Sequence, residues 1–160
     1  MRTPSRIPAF YRLFFIYVEP LSAIAGALYA ALVPEHYLAD LALTPVQRRS
    51  AEVREPLGVA QMMSLWQLAN LYLLFALNEH LVLSSTSSIA TWRRLLCCLL
   101  IADFGHLITM SPLGLQAFWH VWEWNAMLWG SIGFVYVGAS MRMSFLLGVG
   151  LGGRLGGKRK

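Results

Sequence analysis

The chain is 160 residues long, 57% hydrophobic and 13% charged, with a net charge of +5. That balance lies well away from a soluble domain's, and it leaves no soluble basic face on which nucleic acid could bind. The positive charge is instead expected to report on placement in a lipid bilayer.

Four apolar stretches follow one another along the chain. The first, from about Tyr11 to Val33, is interrupted by Glu19-Pro20 and is followed by no small-residue cleavage site, so it reads as a persistent helix rather than a signal peptide. Residues Pro34 to Pro56 form a polar connection with three prolines, a surface loop that would face the lumen. The second stretch runs from about Leu57 to Leu83. Ser84 to Ser88 reads as a turn or helix cap without the glycines of a phosphate cradle. The third runs from Leu95 to about Met110, and the tight connection Ser111-Pro112-Leu113-Gly114 predicts a helical hairpin with the fourth, about Ala117 to Met141. At about 1.5 Å per residue most of these cross a hydrocarbon core of about 30 Å, the third barely. The expected fold is therefore all-α, a single-domain integral membrane four-helix bundle spanning residues 1–160.

Orientation follows from the basic residues. Arg2, Arg6, Arg12, Arg93, Arg94, Arg142, Arg154, Lys158, Arg159 and Lys160 fall on one side, and Arg48, Arg49 and Arg54 on the other. The positive-inside rule then predicts both termini in the cytoplasm, in a multi-pass protein of the endoplasmic reticulum.

Each stretch carries one carboxylate: Glu19, Glu79, Asp103 and Glu123. An acid in hydrocarbon is costly enough that four of them point to a polar centre inside the bundle. Asp103 and His106, like His120 and Glu123, stand three apart and would share a helix face. Acid–His pairs on two helices with single acids on two others are also the vocabulary of carboxylate metal bundles, so His80, His106 and His120 are candidate ligands and iron a candidate metal. Counting along the helices from the cytoplasmic side places Glu19 and Glu79 at about 7–10 Å, Asp103 at about 14 Å and Glu123 near 28 Å, so Glu123 fits one compact cluster poorly. Glu19 is the acid with the strongest structural reading, because Pro20 frees a backbone carbonyl beside it. Trp124 and Trp129 are candidate pocket walls for a polyene or a cationic intermediate. Cys97 and Cys98 are adjacent, about 100° apart on a helix, and read as packing residues; the lack of a Cys-x-x-Cys pair argues against a thiol oxidoreductase of the vitamin K epoxide reductase kind.

The run Ile7 to Ala30, Pro34-Glu-His-Tyr-Leu38, Asn78-Glu-His80, Ala102-Asp-Phe-Gly-His-Leu107 and Phe145-Leu-Leu-Gly-Val-Gly150 resembles a family of small fungal four-span membrane proteins over nearly the whole chain. The resemblance implies a place in secondary-metabolite biosynthesis, with epoxidase-like members acting on an alkene of a hydrophobic polyketide or terpenoid intermediate, alongside other pathway enzymes. The chain is more weakly similar to the sterol-isomerase superfamily that includes the emopamil-binding proteins. Three readings stay open: an oxygen-activating epoxidase, with Glu79, Asp103, His106 and Glu123 as its catalytic set; an acid–base cyclase or isomerase of a hydrophobic polyene or epoxide; and a non-catalytic lipid-binding or scaffold protein.

Overall fold

The computed structural model describes residues 7–41 and 57–151, and among them every regular element is helical. Helix α1 runs Ala9–Leu32, α2 is the short Pro34–Asp40, α3 is Val59–Ser84 and α4 is Ile89–Thr109. After a run of three-residue and four-residue 3₁₀ turns, α5 occupies residues 126–146. Three helical stretches, Ala9–Leu32, Val59–Ser84 and Ile89–Leu113, are long and apolar enough to cross a membrane.

The burial pattern is that of a protein whose solvent is lipid. Leu21, Leu71, Ile101 and Ile108 are each more than half exposed, whereas Glu79 and Arg142 have no exposure at all. Three apolar clusters fix how the helices run. Tyr11 and Phe15 at the start of α1 meet Leu83 at the end of α3, Trp92 and Leu96 at the start of α4 and Phe145 at the end of α5. At the opposite end, Ala27 and Ala30 of α1 pack on Leu65 and Ala69 of α3 under Tyr37 of α2. Leu128 and Ile132 of α5 pack there beside Met110, the residue that caps the end of α4. Successive long helices are therefore antiparallel. Small residues along α1 and α3 let those two helices approach closely, the usual basis of helix pairing where no hydrophobic effect drives it.

Several boundaries differ from those expected. Residues Pro34 to Asp40 are helical rather than loop, because Pro34 occupies a first-turn position where its missing N–H is harmless and Tyr37 is buried beneath the bundle; residues 42–56 lie outside the described residues. The serine run does cap α4: Ser88 Oγ accepts from Thr91 N at 3.4 Å, so α4 starts six residues before Leu95. The largest correction is at the fourth helix, which begins at Ala126 and not near Ala117. Asn125 caps it by accepting from Leu128 N at 2.8 Å, while the Trp124 indole donates to the Ala117 carbonyl at 2.8 Å and ties the preceding 3₁₀ turns down.

Two segments are wound as π-helix: Phe14–Val18 within α1 and Trp129–Gly133 within α5. Such single-turn widenings cluster at functional sites. One directly precedes Glu19, and the other contributes Gly130 and Ser131 to the interior cavity.

Candidate functional site

Arg142 of α5 is the residue that organises the interior, and it corrects the orientation count, where it stood among the cytoplasmic basic residues. Its side chain is fully buried. Nη1 donates to Asp103 Oδ2 at 2.7 Å, and Nη2 donates to Glu19 Oε1 at 2.6 Å and lies 3.5 Å from Glu79 Oε1. One guanidinium thus joins acids from α1, α3 and α4. The Phe15 and Phe75 rings lie 5.7 and 5.6 Å from its central carbon. Forked donors and aromatic contacts are what Arg supplies and Lys does not. Gly138, one turn before Arg142, admits the guanidinium: a Cβ there would come within 2.8 Å of Nη1 and 3.0 Å of Glu19 Oε1. The set is not saturated. Glu19 Oε2, Glu79 Oε2 and Arg142 Nε are buried without a hydrogen-bond partner among the described residues.

Beside this cluster opens a cavity of about 870 Å³. Glu19, Asp103 and His106 reach it, while Glu79 stays behind Arg142 and does not. The walls are small or apolar: Ala23 and Gly26 of α1, Leu68 and Phe75 of α3, Ala102 of α4 and Phe134 of α5. At the end remote from Arg142, Tyr29 donates to Asp40 Oδ2 at 2.6 Å, and the hydroxyls of Tyr37 and Tyr72 lie 3.2 Å apart.

The expected site residues separate cleanly. Asp103 and His106 do share a face toward the cavity, and Glu79 does belong to the cluster. Glu19, expected to be structural, is a full member and opens on the cavity. Glu123 does not join: it sits in a 3₁₀ turn with half its side chain exposed, 3.7 Å from His120. Trp124 is buried against the Ala117 carbonyl and Trp129, itself about half exposed, so the two pack on each other rather than on the cavity. Cys97 and Cys98 are free and exposed on the outer face of α4, so they are not the packing residues expected.

The histidines do not assemble as metal ligands. Pro20 has no N–H to offer the carbonyl four residues back, that of Ile16, and the His80 Nδ1–H donates to it at 2.8 Å. His106 Nε2–H donates to the Ser131 carbonyl at 2.9 Å inside the second π segment. A carbonyl only accepts, so these bonds assign the ring protons; in the neutral ring of His106 they leave Nδ1 as the acceptor. His120 lies on the outer turn with Glu123. Among the described residues no three His, Cys, Asp or Glu side chains are grouped as a metal site. The donor set does not fit iron: the three clustered acids already face a cation, and the imidazoles serve carbonyls of two different helices.

A helical bundle with apolar outer faces and a charged interior defines a membrane protein. Residues 4–152 match the family model described as domain of unknown function DUF7704, so the chain belongs to that family. No curated protein and no solved structure matches it.

Proposed function

We propose that this protein is a membrane-embedded acid–base catalyst that isomerises or cyclises a hydrophobic small molecule held in the cavity beside Arg142. The observation that carries the reading is that two acids held by one buried guanidinium, Glu19 and Asp103, both open on an apolar cavity of about 870 Å³. Pockets for small ligands have this character, mostly apolar walls with a few convergent polar groups. A double-bond shift needs one proton delivered to an alkene carbon and one removed from a neighbouring carbon. A carboxyl group can deliver the first, and the partner carboxylate or His106 Nδ1 can accept the second, with no net change in atoms or electrons. Arg142 holds the two acids in place, and the Phe75 ring beside the guanidinium keeps that end of the cavity apolar. Epoxidation of the same substrate class would instead need an oxygen-activating centre, which the donor arrangement does not favour.

In this reading α5 is the fourth span, both termini face the cytoplasm, and the protein resides in the endoplasmic reticulum. Tyr11 OH donates to the Val149 carbonyl at 3.0 Å, which brings the start of α1 and the chain just after α5 together at one end of the bundle. With Arg142 removed from the count, nine basic residues still oppose three. Tags on both termini should be reached from the cytoplasm, and a glycosylation site engineered near Arg48 should be used.

The chemical reading is tested by incubating protein in lipid nanodiscs with an apolar extract of the organism that encodes it, then comparing mass spectra for wild type and Asp103→Asn. The wild type should convert at least one compound to an isomer of unchanged elemental composition, and Asp103→Asn should not. Conversion that survives Asp103→Asn, or that adds oxygen, would count against the reading.

A further inference from the structure

We infer that the end of the cavity remote from Arg142 recognises a hydroxyl group, so that the ligand is an elongated, otherwise hydrophobic alcohol. The inference rests on the cavity being the substrate site and names the class of molecule it takes. Along α1, Glu19, Ser22, Gly26 and Tyr29 follow at spacings of three and four, one stripe on one helix face, and all four reach the cavity. The ten residues from Glu19 to Tyr29 correspond to about 15 Å along the axis. Polar groups mark the two ends of that length. Between them Ser22 turns its hydroxyl back onto the Glu19 carbonyl at 2.8 Å, and Leu68, Phe75 and Phe134 offer only hydrocarbon.

The far end is built from three helices. Asp40 Oδ2 of α2 accepts a hydrogen bond from the Tyr29 hydroxyl at 2.6 Å, and its backbone carbonyl accepts one from the Asn125 amide at 2.6 Å, which anchors it to the start of α5. A carboxylate has about four acceptor positions and Tyr29 fills one, so Asp40 retains capacity for a donor arriving through the cavity. Beside it, burial and the neighbouring Tyr72 hydroxyl hold the Tyr37 pKa above the usual phenol range, so Tyr37 stays protonated and can donate to the same ligand oxygen. An alcohol both donates and accepts, matching a carboxylate next to a phenol. A hydrocarbon end would leave the remaining acceptor positions of Asp40 unused.

The test uses two probes, all-trans-farnesol and its hydroxyl-free counterpart farnesene, bound to the full-length protein in nanodiscs and corrected for partitioning into empty nanodiscs. Wild type should prefer farnesol by about tenfold, the value of one well-made hydrogen bond to a charged group. Asp40→Ala should bring the ratio to about one without weakening farnesene. Tyr37→Phe removes the phenol that donates to the ligand oxygen and should lower the ratio at least threefold, so the inference stays testable if Asp40→Ala does not fold. Equal affinities in the wild type, or an undiminished ratio in the variants, would overturn it. If isomerisation survives Asp103→Asn while the ratio behaves as expected, acid–base chemistry fails and hydroxyl recognition stands.

Discussion

The chain carries two acid–histidine pairs of the same spacing, and the structure gives them opposite fates. Asp103 and His106 lie on α4 facing the cavity, the acid gripped by Arg142 and the imidazole by the Ser131 carbonyl. His120 and Glu123 lie on an exposed 3₁₀ turn, 3.7 Å apart, with no cation from another helix among the described residues. The residue types alone do not decide. A buried acid persists where a cation meets it, and among the described residues Arg142 is the one that does so.

The contrast is sharpest when Arg142 is removed. Arg142→Met leaves three buried acids without their cation and should destabilise the bundle by about 3–5 kcal/mol, enough to lose most folded protein from membranes; quantitative blotting and thermal unfolding in detergent would show it. Arg142→Lys should recover part of the loss, since an ammonium restores charge but not the fork that reaches Asp103 and Glu19 together. Next in size, Asp103→Asn keeps the side-chain shape and should leave protein levels near normal, yet lower product formation by about a hundredfold. Gly138→Ala pushes a methyl against Arg142 Nη1 and Glu19 Oε1 and should cost about 1–3 kcal/mol in thermal stability. His80→Ala strands the Ile16 carbonyl freed by Pro20, again at about 1–3 kcal/mol, with metal content unchanged by elemental analysis. At the other pole, Glu123→Gln should shift stability by less than about 0.5 kcal/mol and leave turnover as it was.

The all-helical class and three of the four expected spans followed from apolar length; the fourth stretch, expected from about Ala117, is helical only from Ala126. Counting rise along the helices set Glu123 apart in depth from Glu19, Glu79 and Asp103, yet Glu123 stood in the expected catalytic set, and the structure places it on a 3₁₀ turn outside the cluster. Arg142 was missed because a basic residue near the end of an apolar stretch reads equally as a cytoplasmic flank; Gly138, four residues earlier, was the available hint that a bulky group needed room. The histidines were misread because a free carbonyl at a π turn has no signature of its own, although Pro20 marked one of the two. The start of α5 was misplaced because tryptophan-rich 3₁₀ turns are as apolar as a helix, and only Asn125 announces the cap. The Tyr29–Asp40 end lay unseen because it needs α2, which proline content had assigned to loop.

The most direct test of the central claim is the origin of the hydrogen in the product. If Glu19 or Asp103 donates a proton, the reaction run in deuterated water with nanodisc-embedded protein should give a product carrying deuterium on carbon and no additional oxygen. A product that gains one oxygen atom and no solvent hydrogen would contradict the account.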